Sequence, residues 1–369
     1  MAKIQEYPFS IAYHQYLNES SCLSDDAPLW AKQFEPIHGI YKAMLFARHF
    51  DEKAIRLQRT GLLRTFPPGI GQEAVGVGIA KAMQTHDIFC GYYRDQSTQL
   101  ERGILPEEIF RYWGGYEDGN AYKNPDRKND LPVCVPIGTQ SLHAVGVAFA
   151  QHYKKTNAVT VTTIGDGGTS QGDFYEALNA AGHFKLPLVF IINNNQWAIS
   201  IPRSAQTASE TLAQKAIAAG IEGIMVDGND PIAMQEITHR ALEKARAGFG
   251  PTLIEAQTYR LCDHTTADDA TRYAPSDERK MAEKKEPIAR FKKYLVNQFD
   301  WNEEKDAALQ QEITQSIQSA ADRYLAMPKE YVGATWDHLY EILPVQYYDQ
   351  KNDWIARENK KIRENTHER

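Results

Sequence analysis

Residues 165–198 read GDGGTSQGDFYEALNAAGHFKLPLVFIINNNQWA: a glycine turn, a helix, a strand and an asparagine cluster in succession. The apolar, β-branched run from Ala158 to Ile164 just before it has the character of a buried strand. Gly165, Gly167 and Gly168 bracket Asp166 where that strand should end. From Asp173 to Phe184 the apolar residues Phe174, Leu178 and Ala181 recur at helical spacing. Leu188 to Ile192 is a second apolar strand running into Asn193, Asn194 and Asn195. Parallel strands joined by a helix put both carboxyl ends at one edge of the sheet, where ligands of open α/β sheets bind.

That edge suits a magnesium-bound diphosphate. Mg²⁺ takes hard oxygen ligands in an octahedron, usually one or two carboxylates beside phosphate oxygens. Asp166 offers a carboxylate, and Asn195, one βαβ step further on, offers an amide oxygen. The glycines let backbone N–H groups approach phosphate closely, and the following helix points its N-terminus the same way. A lone GDG is common in ordinary α/β domains, but GDG, helix, strand and NN in this order is far more restrictive.

Outward from this unit, strands and helices continue to alternate, which predicts an α/β fold with a mostly parallel sheet flanked by helices. Residues 37–60 form an amphipathic helix with Ile40, Met44, Ala47 and Ile55 on one face, and Gln72 to Met83 and 141–153 are further helices. Ile224–Val226 and Leu253–Ala256 are strands, and Asp230 with Pro231 starts a helix between them. The expected organisation is an irregular arm at 1–35, a ligand-binding α/β domain at 36–295, and a helical, polar C-terminal region at 296–369 with a frayed tail.

A net charge of −7 argues against nucleic acid or an anionic membrane as partner. No apolar stretch approaches the about 20 residues that cross a bilayer. Residues 1–20 show no basic segment followed by an apolar run, so no secretory signal is expected. Cys22, Cys90, Cys134 and Cys262 are scattered and form no CxxC pair, which favours a reducing, cytoplasmic location. A nucleotide-binding dehydrogenase of Rossmann type is a competing class, but GVG at 76–78 lies inside a helix pattern and lacks the third glycine.

Four more motifs follow in order: GIGQEAVGVG at 69–78, YYRDQ at 92–96, IGTQ at 137–140 and YRLCDHTTADDATRY at 259–273. With them, roughly residues 36–295 resemble the alpha subunits of heterotetrameric 2-oxo acid dehydrogenases. GDGGTSQGDFYE is similar to the bacterial pyruvate dehydrogenase members of that family. The resemblance implies the thiamine-diphosphate-binding fold of the diphosphate-binding type, with thiamine diphosphate and Mg²⁺ as cofactors. By the same resemblance Asp166, Asn195 and the backbone carbonyl of Trp197 hold the metal. Tyr93, Arg94, Gly167, Gly168 and Arg260 then meet the diphosphate, Ile137 wedges between the two cofactor rings, and Val135 offers backbone groups to the aminopyrimidine. His264 becomes the catalytic histidine, suited to proton transfer and anion stabilisation near neutral pH.

Phe66 is the candidate for the substrate pocket, although it stands one position nearer to GQEA than the family's phenylalanine. GQEA looks like the pyruvate enzymes, whereas DHTTADD looks like the branched-chain ones, so pyruvate, 3-methyl-2-oxobutanoate and acetoin remain open. In this family the cofactor is activated by a glutamate from a pyrimidine-binding domain, and no second such domain is recognisable in the 369 residues. The resemblance therefore implies a beta subunit in an α₂β₂ enzyme, which passes its acyl group to a lipoyl-bearing dihydrolipoyl acyltransferase core. An inert paralogue serving as scaffold is the other alternative, and the retained Asp166, Asn195, Arg260 and His264 argue against it.

Overall fold

The computed structural model describes residues 8–328, 333–337 and 339–367. Its strands are β1 (Ala12–His14), β2 (Ile88–Cys90), β3 (Thr160–Gly165), β4 (Leu188–Asn194), β5 (Trp197–Ala198), β6 (Ile201–Pro202), β7 (Glu222–Asp227) and β8 (Thr252–Gln257). Six of them form one parallel sheet in the order β1-β7-β8-β4-β3-β2, while β5 and β6 make a small antiparallel hairpin. The helices that build the layers are α1 (Phe34–Arg59), α2 (Glu73–Ala82), α3 (Gln96–Glu101), α4 (Pro106–Trp113), α5 (Thr139–Lys154), α6 (Gly172–His183), α7 (Lys215–Ala218), α8 (Pro231–Arg246), α9 (Ser276–Glu283), α10 (Pro287–Gln298) and α11 (Glu303–Ala326).

β4, LVFIINN, is buried along its whole length, as an interior strand of a doubly covered parallel sheet must be. Leu188, Phe190 and Ile192 join Ala144 and Ala148 of α5 and Phe174, Ala177, Leu178 and Ala181 of α6 in one apolar cluster. The α6 residues recur at helical spacing, so a single stripe meets the sheet. Val189 and Ile191 alternate to the other face, which α8 covers. The α8 start is as expected. Asp230 caps it by accepting from the Ile232 and Ala233 N–H groups at 3.0 and 3.2 Å, with Pro231 in the first turn.

The N-terminal arm differs from expectation. Ala12–His14 is not irregular but the edge strand β1, paired in register with Ile224–Val226. Three residues, AYH, carry no periodic signal; β7 supplies the template, and Asp230 pins the chain just beyond by accepting from the Tyr16 and Leu17 N–H groups at 2.6 and 2.7 Å. Residues 1–7 of the arm lie outside the described residues. At the other end, the expected boundary at residue 295 falls within α10, whose Ile288, Phe291, Tyr294 and Leu295 are buried. Tyr294 also donates to the Ala31 carbonyl at 2.9 Å, so the α/β core keeps this helix. The first compact unit ends at Asp322 and a second begins at Arg323. The second contains α12 (Ala334–Asp337) and α13 (Tyr348–His367), with Lys351 and Asp337 paired at 2.8 Å. The tail expected to fray is helical to His367, and its last two residues lie outside the described ones.

Candidate active site

Four neighbouring strands deliver their carboxyl ends to one place. Beyond β2 come Tyr92, Tyr93 and Arg94; beyond β3, Asp166; beyond β4, Asn195; beyond β8, Arg260. In the β3–β4 pair Gly165 stands opposite Asn193, which fixes the relative height of the two loops. A cavity of about 420 Å³ opens there, lined among others by Tyr93, Arg94, Val135, Ile137, Asp166, Gly167, Gly168, Asn195, Trp197 and His264.

Asp166 begins the turn. Its carboxylate is buried and accepts from Gln206 Nε2 at 3.1 Å. Burial pushes its pKa up to about 6, against the relief given by Gln206 and the turn N–H groups. A methyl group on Gly167 would overlap the Ala198 Cβ, and one on Gly168 would lie 2.6 Å from Ile164 Cγ1, so the turn packs too closely for any other residue type. Asn195 donates its amide to Gln72 Oε1 at 2.9 Å and accepts the Trp197 N–H on Oδ1 at 3.2 Å. These two bonds orient the side chain. The Trp197 indole is structural: it is buried and donates to the Tyr259 hydroxyl at 3.1 Å. Its carbonyl accepts from Arg260 Nη1 at 3.4 Å.

The Trp197 hairpin is strained. Gln196 and Ile199 adopt φ of 71° and 54°, the left-handed region, which is unfavourable for a β-branched residue. Arg260 holds the bend by donating from Nη2 to the Ile199 carbonyl at 2.8 Å and to the Tyr273 hydroxyl at 2.7 Å.

His264 is half-buried between two arginines. Its Nδ1 lies 3.0 Å from Arg94 Nη2 and 3.2 Å from Arg260 Nη1. A guanidinium can only donate, so Nδ1 is the acceptor and the ring proton resides on Nε2. Burial first, then the two guanidinium charges, lower its pKa to about 3, with Asp268 opposing weakly. The imidazole is neutral at physiological pH and is a hydrogen-bond donor rather than an imidazolium acid. Arg94 itself is anchored from Nη1 to the Pro68 carbonyl at 2.7 Å and from Nη2 to the His264 carbonyl at 3.0 Å.

Val135 and Ile137 stand on the opposite wall, each about half exposed. Gly138 follows at φ 86°, where only glycine is unstrained, and starts α5.

Two expected residues sit elsewhere. Arg260 does not line the cavity; it stands one layer back and braces His264 and the Trp197 hairpin. Phe66 does not reach the cavity at all. It is fully buried, edge-on to Phe50 and Trp113 at ring-centroid distances of 6.2 and 5.7 Å. An aromatic cluster on α1 and α4 captures it, and only its backbone serves the site, exchanging hydrogen bonds with Thr266 at 3.0 and 2.9 Å that clamp the histidine loop. Sequence reasoning missed Gln140 and Gln206, which line the cavity, and Gln72, which orients Asn195. Gln72 and Gln140 lie inside the motifs at 69–78 and 137–140, and what marks them out is burial, which the sequence does not show. Gln206 has no motif around it.

The family model described as "Dehydrogenase E1 component" matches residues 41–331. The chain belongs to the dehydrogenase E1 component family. This E1 chain is 47% identical over 284 residues to a protein of Acholeplasma laidlawii named pyruvate dehydrogenase E1 component subunit alpha, covering 77% of this chain and 82% of that one. Proteins of the same name from Staphylococcus aureus (strain Mu50) and Staphylococcus epidermidis are 41% and 40% identical over 327 residues, 88% of each chain.

Proposed function

We propose that this E1 chain is the alpha subunit of a pyruvate dehydrogenase decarboxylating component. It would carry out, with a beta subunit, the oxidative decarboxylation of pyruvate and the reductive acylation of a lipoyl group on a dihydrolipoyl acyltransferase. The observation that carries this reading is the convergence of Asp166, Asn195, Arg94 and His264 at the carboxyl edge of one parallel sheet, in a chain whose relatives bear that name. The same relatives favour pyruvate over branched-chain or acetoin substrates.

The donor set fits a diphosphate–Mg²⁺ group. Among the described residues no three His, Cys, Asp or Glu side chains cluster as a metal site. A cation here would take the Asp166 carboxylate, the oriented Asn195 Oδ1 and the Trp197 carbonyl, and complete its shell with ligand oxygens, as Mg²⁺ prefers. Gly167 and Gly168 allow close approach of phosphate to the backbone, and Gln140 Oε1, buried on the cavity wall, has no hydrogen-bond partner. Arg94 and Tyr93 would hold the diphosphate, with Arg260 behind them. Ile137 would wedge between the cofactor rings, and Val135 would present its backbone to the aminopyrimidine. Thiamine diphosphate supplies the carbanion-stabilising chemistry when bound. His264 would donate from Nε2–H to an anionic group of the substrate, a role that needs no charge on the ring.

Val135, Ile137, Ile199 and Ile201 leave the mouth of the cavity apolar and open. That supports a partner subunit which closes the site in an α₂β₂ enzyme. All four cysteines are free, which fits a cytoplasmic location. No described helix is long and apolar enough to cross a membrane. The substrate reading is tested by steady-state kinetics of the reconstituted α/β pair with pyruvate, 3-methyl-2-oxobutanoate and acetoin. Pyruvate should have the highest kcat/KM; preference for either other substrate would overturn that part of the proposal.

A further inference from the structure

Lys215 of α7 lies behind the Asp166 turn, 5% exposed. Its Nζ donates to the Thr169 carbonyl at 2.7 Å and to Thr169 Oγ1 at 2.9 Å, and stands 4.9 Å from the Tyr175 ring centroid. Lys215 takes part in none of the ion pairs found among the described residues. A buried ammonium is costly unless an opposite charge and well-placed acceptors compensate it. Here the acceptors are present, and no carboxylate among the described residues forms an ion pair with it.

The hydrogen bonds lead to the backbone of the residue that carries the metal-side carboxylate. Thr169 Oγ1 receives from Lys215 and donates to the Asp166 carbonyl at 2.7 Å, so the hydroxyl is fixed at both ends. Thr169 is fully buried and sits beside Gly168 and Ser170, both of which line the cavity. The ammonium therefore presses on the turn from behind while the cavity lies in front. A buried charge is screened less than one in water, so an anion in the cavity would be attracted through the wall.

We propose that Lys215 is a positioning residue for the cofactor diphosphate: it clamps the Asp166 turn through Thr169, and the bound diphosphate is the anion that balances its charge. The inference rests on the reading of this turn as a diphosphate site, and assigns to it a cation outside the motifs that define it.

The test uses the cofactor-depleted α/β assembly and titration calorimetry with excess Mg²⁺. Thiamine diphosphate and inorganic pyrophosphate are the probes, and thiamine, which has no phosphate, is the control. Lys215→Met should weaken both phosphate probes by about tenfold or more, the scale of a lost charge-assisted contact. Thiamine binding should be unchanged, and Lys215→Arg should restore most of the affinity. Equal weakening of thiamine would show a merely structural residue and overturn the proposal, as would phosphate binding at the wild-type level. Lys215→Gln, which keeps a donor for Thr169 without the charge, carries the same comparison if the methionine variant does not assemble. Wild-type protein that binds no thiamine diphosphate would instead overturn the cofactor reading itself.

Discussion

Asp166 is the one carboxylate among the residues lining the cavity, so the metal assignment rests on it. Asp166→Ala should abolish magnesium-dependent binding of thiamine diphosphate and leave the fold intact. Unchanged affinity by calorimetry on the α/β assembly would remove the metal from this position. His264 makes a different demand. Burial first, and then two guanidinium donors on Nδ1, hold the ring neutral, with a pKa near 3 instead of the ordinary 6.5. Its folded-state pKa is depressed, so the stability it contributes is full above about 6.5 and declines as pH falls toward 3. In the cofactor-free assembly its NMR ring signals should show no titration between pH 5 and 8; a midpoint near 6.5 would contradict the geometry. His264→Ala should lower turnover by about 10²–10³-fold, the usual loss when a preorganised donor is removed, with far less effect on cofactor affinity. At this scale the sequence was readable where a residue type is chemically singular: Asp166 between glycines, Asn195 at a strand end. Phe66 lies away from the cavity because its burial against Phe50 and Trp113 depends on how α1 and α4 pack, which no local pattern encodes.

The strands behave alike. β3, β4 and β8 announce themselves as apolar, β-branched runs because interior strands of a parallel sheet are buried on both faces. β1 and β2 have three residues each and exist by pairing with β7 and β3, contacts remote in sequence. Their absence from the sequence reading has that cause. Asp230 illustrates how one legible cap does more than its motif says. It accepts four backbone N–H bonds, two at the start of α8 and two from Tyr16 and Leu17 next to β1. Asp230→Ala should cost about 2–4 kcal/mol in chemical denaturation, a lost cap plus orphaned buried donors. Peptide hydrogen exchange should rise at Tyr16 and Leu17 as well as at Ile232 and Ala233. A loss confined to α8 would show that the arm is held by β7 alone.

For the whole molecule, the cavity has one finished side and one open side. The strand ends provide an acid, an oriented amide, an arginine and a neutral histidine, with a second arginine bracing them from behind. The opposite side ends in exposed Val135, Ile137, Ile199 and Ile201. Such a surface fits the proposed second subunit, which would cover it and supply the remaining half of the active site. The direct measurement is ferricyanide-coupled decarboxylation of pyruvate by the purified chain, with saturating thiamine diphosphate and Mg²⁺, before and after addition of a beta subunit. The chain alone should show no turnover, and activity should appear once the partner is added; robust turnover by the single chain would rule out the half-site and require the activating glutamate to come from its own 369 residues.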